Sequence, residues 1–78
     1  MIDGMRNVVG PHIREARYRS GHRVTQEQLA ARLQTLNVDL DRTAISKIES
    51  GKRPIADIEI IAICKALGIK VSNLFIEE

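Results

Sequence analysis

The chain has 78 residues, a formal charge of +2 and a pI near 9.0. That is one small domain, able to bury only about 60% of its unfolded surface, so its core must be dense in Ile, Leu, Val and Ala. A single cysteine excludes an internal disulfide, no Cys/His cluster offers a metal site, and no apolar run approaches the roughly 18 residues that cross a membrane.

Residues 1–7 read as a flexible tail, too polar for a signal peptide, ahead of one domain over residues 8–78. Gly10-Pro11 opens a first helix, because proline is tolerated in the first turn. It runs through Ile13, Ala16 and Arg17 and stops at Ser20-Gly21. The second helix has the clearest start: Thr25 as N-cap, Gln28 completing a capping box, and Val24 with Leu29 at the staple positions. Leu29, Leu33 and Leu36 carry it to about Leu36. Asn37-Val38-Asp39-Leu40 reads as a connecting turn. Asp41 caps the third helix, Leu40 and Ile45 repeat the staple, and Ser50-Gly51 ends it with Gly51 as the left-handed residue. The fourth helix covers about Asp57 to Leu67, with Gly68 as its stop. A final short helix is expected over about Ser72 to Ile76. Cys64 falls in an apolar run and reads as a small core residue, which fits a reducing, cytoplasmic setting.

The segment RTAISKIESGKR, residues 42–53, holds four cations and one acid. Helical spacing puts Ile45, Ile48 and Glu49 on one face and Arg42, Thr43, Ser46, Lys47 and Ser50 on the other. Cations interleaved with short hydroxyls can hydrogen-bond base edges in a major groove. Taken alone, such a face fits a solvated helix equally well. Thr25 and Gln26 add a helix N-terminus suited to a phosphate oxygen, and Lys52 and Arg53 add a basic loop on the other side. Arg23 could grip a backbone too, although surface solubility explains a lone cation better.

TQEQLAARL, RTAISKIESGKRP and ICKALGI, in that order, resemble the lambda repressor/Cro-type helix-turn-helix domain, the XRE family, over about Ile13 to Phe75. The resemblance implies an all-α, five-helix domain whose second and third helices bind double-stranded DNA, usually as a homodimer on a near-palindromic operator. It assigns Arg42, Thr43 and Lys47 to base reading with Ser46 beside them. Gln26, Lys52 and Arg53 go to phosphates, and Thr25 joins them by its place at the helix start. It also implies a structural ion pair between Arg17 and Glu49, which would account for an acid on the buried face. Two connections depart from the family pattern. LQTLNVDLD is long and lacks glycine, so the turn is lengthened, and SGHRV is also extended. Lys70 stands where the family often places a Ser or Asp cap.

No Gly-rich cradle or nucleophile–base constellation is present, and His12 and His22 stand apart, so no enzyme and no cofactor is expected. Two further readings stay open. One is an antitoxin, which would add a protein partner; the other is a controller protein of a restriction–modification system. Ile58 and Ile61 lie off the main apolar stripe of the fourth helix. Core packing is the favoured reading for them, and a self-interface with Ile55 and the C-terminal residues is the alternative.

Overall fold

The structure, a computed structural model, describes residues 6–19 and 23–75. Among these residues four α-helices follow one another: α1 (Gly10–Arg19), α2 (Gln26–Thr35), α3 (Arg42–Glu49) and α4 (Asp57–Leu67). A single 3-10 turn, Val71–Leu74, closes the described chain, with Lys70 at its N-cap position. There is no strand among the described residues, and none of their helices is long and apolar enough to cross a membrane. The expected stop of the first helix at Ser20-Gly21 lies outside the described residues, as does most of the long link SGHRV and the end of the expected last helix.

The helix starts follow from local chemistry. Thr25 Oγ1 accepts from the Gln28 N–H at 3.0 Å, and Gln28 Oε1 accepts from the Thr25 N–H at 2.9 Å. These reciprocal bonds satisfy two donors that a helix start otherwise leaves open. Val24 and Leu29, the staple pair, are both buried. Asp41 caps α3 through the Ala44 N–H at 2.8 Å, and Leu40 and Ile45 are buried beneath it.

The ends of α2, α3 and α4 share one device. After α3, Gly51 has φ 78°; its N–H donates to the Ile48 carbonyl, and Lys52 N–H donates to the Lys47 carbonyl, both at 2.9 Å. This is the Schellman arrangement, and Gly68 repeats it after α4. After α2 the same bonds form with Asn37 in the left-handed position, at φ 63°. Asparagine thus supplies the backbone conformation that the glycine-free connection needs. Six residues, 36–41, separate α2 from α3.

Ile13, Leu29, Leu33, Ile45, Ile48, Ile63, Cys64, Leu67 and Leu74 meet in one core, to which every helix contributes. Burial pushes the Cys64 thiol pKa up. The buried stripe of α4 is Ala62, Ile63, Cys64 and Leu67. Ile58 and Ile61 therefore point away from it and remain 66% and 48% exposed, which overturns the core reading of both. Arg32 ties α2 to α4 by donating to the Ala66 carbonyl at 2.9 Å.

The expected tail over 1–7 is described only at Arg6 and Asn7. Residues 1–5 lie outside the described set. Arg6 and Asn7 are bonded into the body: Arg6 N–H donates to the Gly51 carbonyl at 2.7 Å, and Asn7 Nδ2 donates to Ile48 and Arg53 carbonyls at 3.0 and 2.7 Å. Gly10 shows why α1 can come so close to α3. A Cβ at that position would lie 1.9 Å from the Ile48 carbonyl oxygen.

Candidate nucleic-acid interface

α3 divides its sequence cleanly between two faces. Ile45, Ile48 and Glu49 are buried, whereas Arg42, Thr43, Ser46, Lys47 and Ser50 are exposed. The exposed set keeps its long cations and hydroxyls in solvent, where their donors can reach a ligand. Ser50 Oγ donates back to the Lys47 carbonyl at 3.1 Å and so stays close to its own helix.

Glu49 is 6% exposed and Arg17 5%. Arg17 grips both carboxylate oxygens, Nε to Oε2 at 2.6 Å and Nη2 to Oε1 at 2.8 Å. The remaining guanidinium nitrogen, Nη1, donates to the Val24 carbonyl at 2.8 Å. One arginine of α1 thereby fixes both the C-terminal turn of α3 and the approach to α2. The hydrogen bond to Glu49 is the largest cause that raises the Arg17 pKa, so the guanidinium stays charged despite burial. A buried pair of this kind gives specificity of geometry more than net stability.

Gln26, first residue of α2, joins the same network. Its Nε2 donates to Glu49 Oε1 at 3.1 Å. The amide nitrogen carries a second hydrogen with no bonded acceptor among the described residues. Beside it, the backbone N–H groups of Gln26 and Glu27 have no helical acceptor, as at any helix start. Thr25 holds the cap with its oxygen and keeps its hydroxyl hydrogen for a further acceptor. The acidic side chain of Glu27 is exposed on the same turn and lowers the local positive potential.

Two concave surfaces flank the exposed face of α3. The first lies between α1, the start of α2 and α3, and gathers Arg14, Arg23, Arg42, Gln26 and Ser46 around Tyr18. The Arg17 and Arg23 guanidinium carbons stand 5.2 and 5.1 Å from the Tyr18 ring centre, in cation–π range. The hydrogen bond from Arg14, with the charges of Arg14 and Arg17, lowers the Tyr18 pKa. The second concavity is lined by Thr43, Lys47, Lys52, Arg53 and Arg6. Lys52 is exposed there. Arg53 is half-buried and engaged: its Nη1 and Nη2 reach Glu59 at 3.3 and 3.4 Å, and Nη1 also donates to the Pro54 carbonyl at 3.1 Å.

The structure thus brings Thr25, Gln26, Arg42 and Ser46 together on one side, and Thr43, Lys47, Lys52 and Arg53 on the other. Arg14, Tyr18 and Arg6 are additional residues of these surfaces. Arg14 and Tyr18 sit one turn apart on α1, and that spacing is the signal by which they can be found. Arg6 carries no local signal, because a backbone bond to distant Gly51 places it. Among the described residues no group of His, Cys, Asp and Glu can hold a metal ion.

A small all-helical fold that exposes one polar, cationic helix between two basic concavities, and braces it from behind with a buried ion pair, defines a DNA-binding domain of the helix-turn-helix class. A family model described as helix-turn-helix matches residues 13–74, and the chain belongs to that family. Over 52 residues it is 42% identical to a protein named Control protein C.MunI, from Mycoplasma sp.. The match covers 67% of this chain and 64% of that protein, so the chain spans slightly under two thirds of the length of the curated relative.

Proposed function

We propose that the protein is a dimeric, sequence-specific regulator of transcription that reads a near-palindromic operator. α3 lies in the major groove, with Arg42, Thr43, Ser46 and Lys47 toward base edges. Thr25 and Gln26 take a phosphate on one side, and Lys52 and Arg53 on the other. The observation that carries this reading is the division of α3: every proposed reading residue is exposed, while its one acid is turned inward and neutralised by Arg17. An unpaired acid on that face would repel the duplex.

In the same reading, the Val71–Leu74 turn stands for the fifth helix of the family plan, and the 36–41 connection is its lengthened turn. The role is binding rather than catalysis, and it is exercised in the cytoplasm. Ile58, Ile61 and Phe75, 66%, 48% and 50% exposed, supply a self-interface on the C-terminal part of the chain. Two-fold symmetry then sets the two reading helices about 34 Å apart, one helical turn of DNA. The resemblance to a control protein favours one setting among regulators, that of a controller in a restriction–modification system. Repression by occluding polymerase is the simplest action of a domain of this size.

Fluorescence anisotropy tests this reading. A duplex selected from random sequence should bind at least about 10³-fold more tightly than an unrelated duplex of equal length. Sedimentation should show a dimer that Ile61→Asp dissociates. Equal affinity for both duplexes would refute sequence-specific recognition, and a wild-type monomer at the highest usable concentration, with and without DNA, would refute the dimer.

A further inference from the structure

Arg6 and Asn7 precede the first helix, yet both are built into the far end of α3. Asn7 uses its whole side-chain amide for this. Its Oδ1 accepts from the Gly10 N–H at 2.7 Å, which fixes the start of α1. Its Nδ2 donates to the Ile48 carbonyl at 3.0 Å and the Arg53 carbonyl at 2.7 Å, which fixes the end of α3 and the loop beyond it. The Arg6 N–H adds a bond of 2.7 Å to the Gly51 carbonyl. The backbone of Arg6 is therefore held in place, and its exposed side chain lines the concavity shared by Thr43, Lys47, Lys52 and Arg53.

Four cations, Arg6, Lys47, Lys52 and Arg53, border that surface. Glu59 reaches it only through Arg53, while also accepting from the Ala56 N–H at 2.9 Å. The concavity opens along the exposed face of α3 from Thr43 to Lys47. A duplex that takes α3 in its major groove must run one of its two sugar–phosphate strands along this edge. A cation on an anchored backbone loses less freedom on binding than one on a free tail.

We propose that Arg6 contacts a backbone phosphate of duplex DNA as part of the same clamp as Lys52, and that Asn7 is the positioning residue that places it there. This rests on the DNA-binding reading above. The contact carries no sequence information, so it acts alike on operator and unrelated DNA.

Arg6→Ala and Arg6→Lys, measured by anisotropy on a selected and an unrelated duplex over a salt series, give the test. One phosphate contact is worth about 0.9 in the slope of log affinity against log salt. Between 50 and 200 mM salt, wild type should therefore lose about 3.5-fold more affinity than Arg6→Ala. Both duplexes should be affected equally, and Arg6→Lys should restore most of the slope. Asn7→Ala should flatten the slope in the same way with Arg6 still present. Arg6 is exposed, so its variants fold and carry the test even if Asn7→Ala does not. A wild-type slope in Arg6→Ala would overturn the contact. A wild-type slope in an Asn7→Ala protein of unchanged melting temperature would overturn the positioning role. Wild type that binds neither duplex would instead sink the DNA-binding reading itself.

Discussion

Replacing Gly10 by alanine sets two physical effects against each other, and the sign of the outcome decides between them. Alanine is favoured over glycine in a helix by roughly 0.5–1 kcal/mol, so propensity alone predicts a more stable protein. The structure predicts the opposite. The new Cβ would stand 1.9 Å from the Ile48 carbonyl oxygen and 2.9 Å from its carbon, both backbone atoms, and 3.0 Å from Asn7 Oδ1. An ordinary carbon–oxygen contact is about 3.3 Å or longer, so α1 and α3 must separate by more than about 1 Å. That movement strains the Asn7 bonds and the Arg17–Glu49 pair, whose shortest contact is 2.6 Å. Overpacking of this order costs about 1–3 kcal/mol, which exceeds the propensity gain. For a domain of this length each kcal/mol shifts the melting temperature by about 4–8 °C. Thermal melting followed by circular dichroism should show Gly10→Ala unfolding several degrees below wild type. A variant that melts at or above the wild-type temperature would refute the close approach of α1 to α3.

Asn37→Gly should raise stability by a few tenths to about 1 kcal/mol, because Asn37 holds a left-handed conformation, while Asn37→Ala should lower it by about 1 kcal/mol in urea unfolding; equal midpoints for the two variants would contradict this. Arg17→Ala should cost about 3–5 kcal/mol by leaving the Glu49 carboxylate buried without its partner, and adding Glu49→Gln should recover part of that loss. A single variant as stable as wild type would remove the proposed brace. Tyr18, the only tyrosine, should ionise at lower pH than a free phenol in an ultraviolet titration, and Arg14→Ala should move the midpoint upward. The sign for stability follows from the depressed folded pKa: the gain is complete above the unfolded pKa and is lost as pH falls through the folded pKa. A midpoint unmoved by Arg14→Ala would show that Arg14 does not act on the phenol.

Much of this fold is legible in the sequence because its helix boundaries are set locally. Thr25 with Gln28, Asp41 before Ala44, and Gly51 and Gly68 act within three or four residues of themselves, and each does in space what its spacing implies. The exposed face of α3 follows from helical period alone. Contacts between distant segments are less visible. Nothing near Asn7 announces its bonds to Ile48 and Arg53, and nothing near Gly10 says that a carbonyl of α3 blocks a side chain there. The end of α2 near Leu36 is legible too, although the left-handed conformation that makes it falls on Asn37 rather than on a glycine. Ile58 and Ile61 mislead for another reason. Isoleucine in a small domain is usually core, but the α4 stripe is already filled by Ala62, Ile63, Cys64 and Leu67. Arg53 was legible as a cation but not as the partner of Glu59, since both lie on the loop and first turn that fold around Pro54.

The claim on which the rest depends is that the exposed face of α3 reads sequence. Selection of bound sites from random duplex DNA, run in parallel on wild type and Arg42→Ala, tests it most directly. Wild type should enrich one near-palindromic site. Arg42→Ala should lose preference at one position in each half-site, by about 1–3 kcal/mol, while its affinity for unrelated DNA falls far less. Recovery of no common site by wild type, or of the same site with the same preference by Arg42→Ala, would contradict it.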